Sequence, residues 1–241
     1  MCTVTIIPIT NSDFILTSNR DESPKRVSLA PEFYTHNNTK LLYPKDELSG
    51  GTWIGISEKN RVVCVLNGGF ERHERQSSYR KSRGIVANDF MTADNINEAI
   101  ELYNLKNIEP FTMVIADWNS GLEFYELVWD GTNKHVTKLP FQAKIWSSST
   151  LYNTTMINER VKWFEDFKSE NKLDENTILK FHKTAGGKND DYGVIMNRGF
   201  VKTTSITQIK KHGNSLGISY ESLQNKTITT QTFNIPQIIN E

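Results

Sequence analysis

The chain has 241 residues, and we expect residues 1–241 to form one domain that buries about 70–75% of its unfolded surface. Its 28 basic and 28 acidic side chains cancel, which excludes a general electrostatic affinity for nucleic acid or anionic membranes. The two cysteines, Cys2 and Cys64, cannot form a disulfide framework and are typical of a reducing compartment, so the cytoplasm is the expected location. We expect no targeting segment and no membrane span, because no run approaches ~20 apolar residues.

The first predicted element is a β-hairpin of residues 2–8 and 14–19 around the turn residues 11–13. A two-residue loop places Cys2 opposite Asp21, and a three-residue loop places it opposite Glu22. In either register we expect a carboxylate to lie beside the N-terminus.

Further strands are predicted at residues 52–57, 61–66, 111–116, 122–129, 144–147, 203–209 and 227–233. Ser82 and Asn95 are expected to begin two helices, and apolar periodicity predicts two more at residues 154–167 and 175–182. Because strands and helices come in separate blocks, the order favours an α+β fold in which helices cover antiparallel sheets.

Cys2 is the strongest candidate for chemistry in the chain. Removal of Met1 would leave a thiol and a free α-amine on one residue. A cysteine is a soft nucleophile, and an α-amine has a reference pKa of about 7.7–8.0 and can exchange a proton near neutrality. Nucleophile and base would then be the same residue.

Several motifs carry a resemblance to a known family. The run Ser-Asn-Arg-Asp-Glu at residues 18–22 follows Met-Cys-Thr at 1–3, and further matches are Arg26, Asp46, Gly-Gly-Thr-Trp-Ile-Gly at 50–55, Asn67 and Ser-Arg-Gly at 82–84. In this order and spacing they resemble the NRDE family, also called the transport and Golgi organisation 2 family. That family looks like a branch of the N-terminal nucleophile hydrolases, similar to the cysteine enzymes that cleave penicillin V and conjugated bile salts.

The resemblance implies a four-layer αββα sandwich of two antiparallel sheets. It implies that Cys2 is the nucleophile, that its own α-amine is the base and that Asp21 orients this amine. Arg20 would lie near the thiolate and lower its pKa through its positive charge.

An oxyanion hole is also implied. Asn67 matches the position of one oxyanion donor in the acylases, and Gly68 after it would let a backbone N–H approach the substrate. Ser148 stands where the family has an asparagine as second donor, and losing such a donor typically costs ~100- to 1000-fold in rate. Asn19 is a further possible substrate contact.

Structural interpretations of the same features remain open. Arg20 and Asp21 could form a surface ion pair and turn cap, and Asn67 with Gly68 could simply end a strand. The basic loop 72–83 is either a solvated loop or a mouth that selects an anionic substrate. Cys64 is expected to be structural, and the scattered histidines show no metal-binding spacing.

These observations lead to two main functional hypotheses, and a purely structural or Golgi-linked role is a third that the expected lack of a targeting segment disfavours. The first is a hydrolase of a non-peptide amide C–N bond in a small molecule, with no cofactor and no metal. The alternative is a non-catalytic binder or carrier of haem, acyl-CoA or lipid on the same fold, since some members of the resembling family are associated with these molecules. The expected partner is thus a small amide or amphipathic ligand, and the oligomeric state is left open.

Overall fold

A computed structural model describes residues 3–234, which form thirteen strands and four helices. All pairings between these strands are antiparallel, and they make two sheets. Sheet A consists, in spatial order, of β10 (Lys144–Ser147), β1 (Thr3–Pro8), β2 (Phe14–Glu22), β11 (Lys202–His212), β12 (Ser215–Ser222) and β13 (Thr227–Asn234). Sheet B consists of β3 (Ser28–His36), β4 (Thr39–Asp46), β5 (Ile54–Ser57), β6 (Arg61–Asn67), β7 (Phe111–Asp117), β8 (Glu123–Trp129) and β9 (Lys134–Lys138).

Two helices lie on the outer side of each sheet. The helix α1 (Arg83–Thr92) contacts β4, β5 and β6 of sheet B, and α2 (Ile96–Leu102) packs beside it. The helix α3 (Thr154–Glu170) contacts β10, and α4 (Glu175–Thr184) contacts β2 and β11 of sheet A. The predicted four-layer α+β sandwich of two antiparallel sheets is confirmed. Among the described residues, no helix is both long and apolar enough to cross a membrane.

Alternation along β2 divides its side chains between two cores. Leu16 packs into the cluster between the sheets, which includes Val63 and Val114 of sheet B. Its neighbour Ile15 packs against Phe181 of α4 on the other face. Successive side chains of a strand point to opposite faces, so the even-numbered residues of β2 face sheet B and the odd-numbered residues face the layer of α3 and α4. Each aliphatic side chain buried in this way contributes about 1.5–3 kcal/mol.

The predicted hairpin of β1 and β2 is present, but its register differs from both expected registers. Thr3 pairs with Asn19, whereas the expected registers place residue 20 or 21 opposite Thr3. The loop begins one residue earlier than expected because the Thr10 hydroxyl accepts hydrogen bonds from the amides of Ser12 and Asp13. Both expected registers are therefore wrong for the described residues.

The predicted helix starts are confirmed by their caps. The Ser82 hydroxyl accepts from the amide of Ile85, and the Asn95 side chain accepts from the amides of the first helical turn of α2. The predicted strands all exist, but the sequence patterns do not predict β3, β4, β9 or β12. A signal for β3 and β4 is present, since Asn37 and Asn38 join them with φ angles of 47° and 58°, the conformation of a tight hairpin turn.

Candidate functional site

A cavity of about 320 Å³ lies where strands from both sheets end near one another. Sheet A contributes Arg20 and Glu22, and sheet B contributes Asp46 and Asn67. Loop residues 75–79 and residues 81–84 at the start of α1 also line it, and the remaining lining residues are Arg26, Ser49, Thr52, Trp53, Val65 and Glu109. The volume is near the lower end of the ~300–1,000 Å³ typical of small-molecule sites. The structure thus brings two sequence-predicted site residues, Arg20 and Asn67, into one cavity.

Arg20 is a buried cation in this cavity, with a side chain that is only 3% exposed. Its Nη2 donates to Asp46 Oδ2 at 2.7 Å, and its Nη1 donates to Thr204 Oγ1 at 3.2 Å. The guanidinium lies 4.8 Å from the centre of the Trp53 ring, which is within the range of a cation–π interaction. These three contacts fix a positive charge at the wall of the cavity.

Asp46 is shared between two arginines. In addition to Arg20, its Oδ2 accepts from Arg26 Nε at 2.8 Å, and its Oδ1 accepts from the amide of Ser49 at 2.9 Å. Burial by itself raises the pKa of Asp46, but the hydrogen bonds and charge of Arg26 and the hydrogen bond from Ser49 outweigh burial and lower the pKa below its usual value. Asp46 is therefore a carboxylate that holds both cations in place.

Asp21 follows Arg20 in sequence but faces the opposite side of β2. Its buried carboxylate accepts from the Tyr152 hydroxyl at 2.7 Å and from the Thr203 hydroxyl at 2.6 Å. Arg20 is held by the next residue of β11, Thr204, at a register shift in the β2–β11 ladder. The late-chain strand β11 therefore contacts both Arg20 and Asp21, each on a different face of sheet A.

Asn67 ends β6 and is half-buried at the cavity. The Ser148 hydroxyl donates to the backbone carbonyl of Asn67 at 2.6 Å and also hydrogen-bonds the Thr150 hydroxyl at 2.9 Å. Ser148 itself is 1% exposed. Its hydroxyl therefore supports the main chain of Asn67, and Ser148 is not among the residues that line the cavity.

Gly68 adopts a backbone conformation that favours glycine, with a φ of +88°. Its N–H donates to the Pro110 carbonyl at 3.0 Å. A side chain at this position would collide with Ser149 Oγ and would lie 2.9 Å from the Thr150 methyl group. With its N–H engaged by Pro110, Gly68 acts on the site by allowing the chain after Asn67 to pack closely on the segment that contains Ser148.

We expect Gly68→Ala to lower the free energy of unfolding by about 2–4 kcal/mol, because it combines a strained φ with a steric clash. Gly121→Ala is the matched control, since Gly121 has a φ of +105° with no atom within 4 Å of an added Cβ. The control should cost only about 1 kcal/mol. Urea unfolding of both variants measures the difference, and equal losses would contradict the steric part of this account.

Asn19 lies away from the cavity, on the face of β2 that packs against α4. Its Nδ2 donates to the carbonyls of His182 and Val194 at 3.0 and 2.6 Å, and its Oδ1 lies 2.6 Å from His182 Nδ1. Asn19 is fully buried and is not among the residues that line the cavity. In this structure its side chain ties sheet A to the helices.

The predicted nucleophile, Cys2, lies outside the described residues. The other cysteine, Cys64, is buried in β6, and burial raises the pKa of its thiol to about 12. Within residues 3–234, no group of three or more His, Cys, Asp or Glu side chains is arranged to hold a metal ion. Cys64 is thus a packed thiol that stays protonated at neutral pH.

Tyr152, Thr203 and Glu109 belong to the polar clusters of this region but are not singled out by the sequence patterns. Each is isolated in sequence from the motif residues, and the partners of the first two are separated from them by more than 130 positions. No local spacing signal exists for such contacts, because they join segments that are distant in sequence. Thr203 reaches Asp21 because β11 lies beside β2, whereas Tyr152 and Glu109 lie in loops that the fold brings to their partners.

Solved structures of an amidase, an acylase and a hydrolase share this fold. An N-acylethanolamine-hydrolyzing acid amidase orthologue from Caenorhabditis elegans matches with a TM-score of 0.59 and 12% identity, covering 86% of this chain and 92% of its own. Penicillin V acylase from Agrobacterium tumefaciens matches with a TM-score of 0.54 and 11% identity, covering 97% and 86%. A variant of conjugated bile acid hydrolase from Clostridium perfringens matches with a TM-score of 0.53 and 10% identity, covering 99% and 100%. At these identities, the likeness shows the fold alone.

Sequence comparison identifies the family. Transport and Golgi organization 2 homologues from Mus musculus and Bos taurus are 33% and 34% identical to the chain over 82 residues, which are 33% of this chain and 29% of each relative. The chain therefore spans less than a third of the curated relatives in these alignments. The family model described as Transport and Golgi organisation 2 matches residues 1–230, nearly the whole chain. The resemblance in the motifs is confirmed, and the chain belongs to the Transport and Golgi organisation 2 family.

Proposed function

We propose that the chain is an N-terminal cysteine hydrolase that cleaves a non-peptide amide C–N bond of a small molecule. The observation that carries the proposal is the shared cavity of Arg20 and Asn67. Thr3, which directly follows Cys2, pairs with Asn19, the residue before Arg20. The start of β1 thus lies next to the strand that supplies the cavity's buried cation.

The proposed reaction begins when the α-amine of Cys2 takes the thiol proton and the thiolate attacks the amide carbonyl carbon. The side-chain amide of Asn67 donates a hydrogen bond to the resulting oxyanion. The protonated amine gives its proton to the leaving nitrogen as the C–N bond breaks, and a thioester remains. Water, deprotonated by the amine, then attacks the thioester and releases the acid and the free thiol.

The surrounding charges support this chemistry. The fixed guanidinium of Arg20 favours the thiolate of a cysteine nearby, although part of its charge is balanced by Asp46. Asp21 offers a buried carboxylate, oriented by the Tyr152 and Thr203 hydroxyls, as partner for the α-ammonium. The Ser148 hydroxyl already donates to the backbone carbonyl of Asn67. We therefore propose the side chain of Asn67 as the single oxyanion donor.

Covalent labelling tests the proposal directly. We expect intact mass to show the loss of Met1 and a β-lactam probe to add once to the wild-type protein. Cys2→Ser should remove the adduct, whereas Cys64→Ser, the matched control, should keep it because the Cys64 thiol is buried and protonated. Retention of Met1, or labelling that survives Cys2→Ser, would rule out Cys2 as the nucleophile.

A non-catalytic binder on the same fold is the competing proposal. It is supported by the position of Ser148, whose hydroxyl does not reach the cavity as a second oxyanion donor. Absence of labelling, together with saturable binding of haem or an acyl-CoA, would favour this function over hydrolysis. The modest cavity of about 320 Å³ favours a small polar molecule over either of these ligands.

A further inference from the structure

Cations outnumber acids in the lining of the cavity. Its acidic residues are Glu22, Asp46 and Glu109, and its basic residues are Arg20, Arg26, Arg75, Lys81 and Arg83. Glu22 and Asp46 already balance Arg20 and Arg26 on the β2 side, through contacts of 2.7–3.3 Å. In the opposite group, which comprises the loop and the start of α1, Lys81 is paired with Asp89 of α1 at 2.6 Å. The excess positive charge therefore lies on Arg75 and Arg83.

Glu109 cannot balance this second group by itself. Its carboxylate lies 3.1 Å from Arg83, 3.5 Å from His73 and 3.9 Å from Arg75. The Arg83 side chain is only 16% exposed, and burial lowers its pKa even though Glu109 opposes this effect. One carboxylate thus serves two permanent cations, one of which is largely removed from water.

Two further features of the lining favour an anion. The first turn of α1 has no acidic residue, so the positive end of the helix dipole faces this group of cations without a negative side chain of its own. The indole Nε1 of Trp53, a residue that is 4% exposed and lines the cavity, has no hydrogen-bond partner among the described residues. A buried N–H donor without an acceptor is costly, and an oxyanion would satisfy it.

We infer that the molecule bound in this cavity is a small amide that carries an oxyanion group, a carboxylate or a phosphate, and that Arg83 and Arg75 bind this group beside the start of α1. The inference rests on the proposed function in taking the ligand to be an amide substrate. The charge of the cavity indicates the anionic group, because one negative charge on the ligand would balance the excess of Arg75 and Arg83 over Glu109. Asn67, in the same lining, would then meet the amide carbonyl while the anionic end stays at Arg83.

Binding of matched probes tests this inference without any turnover. We would titrate the Cys2→Ser protein with succinamate, with neutral succinamide and with inorganic phosphate, and follow the chemical shifts of its tryptophan indole N–H groups. We expect saturable binding of at least one of the two anions, with a shift of the Trp53 resonance, and at least tenfold weaker binding of succinamide. The tighter of the two anions identifies the oxyanion chemistry of the site.

Three variants locate the anion. Arg75→Gln should weaken binding of the preferred anion about tenfold, the lower end for a hydrogen bond between charged groups. Arg72→Gln is the matched control, because Arg72 is an exposed arginine of the same loop that does not line the cavity, and it should leave binding unchanged. Glu109→Gln should tighten binding several-fold, because it removes the carboxylate that competes for Arg83. A gain in affinity cannot come from misfolding.

Equal binding of succinamate and succinamide, no saturable binding of either anion, or equal losses in Arg75→Gln and Arg72→Gln would overturn the inference. Its failure is distinct from failure of the proposed function. Absence of Cys2 labelling together with charge-selective binding would refute the hydrolase and leave the anion site standing. Labelling of Cys2 without charge-selective binding would refute the anion site alone.

Discussion

Arg20→Met is expected to lower the free energy of unfolding by about 3 kcal/mol, the lower end of the range for breaking a buried ion pair. The substitution removes the 2.7 Å contact with Asp46 and the cation–π contact with Trp53. Asp46 would remain buried as a carboxylate, with Arg26 and the Ser49 amide as its remaining partners. Chemical denaturation at neutral pH measures this loss.

Two companion variants separate the buried pair from the exposed one. Arg26→Met should cost less than about 1 kcal/mol, because the Arg26 side chain is 33% exposed and its ion pairs are screened by water. Combining Arg20→Met with Asp46→Asn should cost less than the two single changes together, by about 1–3 kcal/mol, since the double variant leaves no unpaired charge. Similar losses for Arg20→Met and Arg26→Met would contradict the central position of Arg20 in this network.

Stability should fall steeply with pH below about 6.5 because of His182. His182 is fully buried, its Nδ1 faces Asn19 Oδ1 and its Nε2 lies 2.8 Å from the Thr5 hydroxyl. Since the Asn19 oxygen can only accept, Nδ1 carries the proton and Nε2 accepts from Thr5, which describes a neutral imidazole. Burial, assisted by the positive charge of Arg160, lowers the pKa of His182 from 6.5 to about 3.

The direction of the pH effect follows from linkage. Between pH 6.5 and about 3, the unfolded chain binds a proton at His182 that the folded chain does not, so stability decreases as pH decreases. At about 1.4 kcal/mol per pH unit, the full loss is roughly 5 kcal/mol, reached near pH 3. Carboxylates titrate in the same range, so only a comparison with a variant isolates this contribution.

Urea unfolding at several pH values between 4 and 7 checks the prediction. His182→Asn should be less stable at pH 7, because it loses the bond from Thr5, but its stability should decrease less steeply toward acid than that of the wild type. His212→Asn is the control, since His212 is 92% exposed, and it should keep the wild-type slope. Equal slopes for the wild type and His182→Asn would contradict a neutral, buried His182.

Local signals account for most of the secondary structure. Ser82 and Asn95 begin helices because their side chains accept amide protons only two or three residues away, a contact that the sequence itself specifies. The block order of strands and helices likewise indicates the α+β layers, and the motif at residues 18–22 indicates the family. These local signals did not predict the register of the hairpin, because a single hydroxyl, that of Thr10, determines where its loop begins.

The candidate site depends on contacts between distant segments. The sequence places Asn19, Arg20 and Asp21 side by side, but alternation in β2 directs Arg20 toward sheet B and its two neighbours toward the helices. The position of β11 beside β2 decides the partners of Arg20 and Asp21. It brings Thr203 to Asp21 and Thr204 to Arg20.

The sequence by itself therefore determined most of the elements, the layered fold class and the family of this protein, together with a short set of polar candidates. Only the tertiary structure decided that Arg20 and Asn67 share a cavity and that Asn19 and Ser148 support the fold around it. The physical reason is the range of the interactions. Capping and periodicity act over a few residues, whereas ion pairs, buried hydroxyls and cavity walls form between strands whose order and register no local pattern specifies.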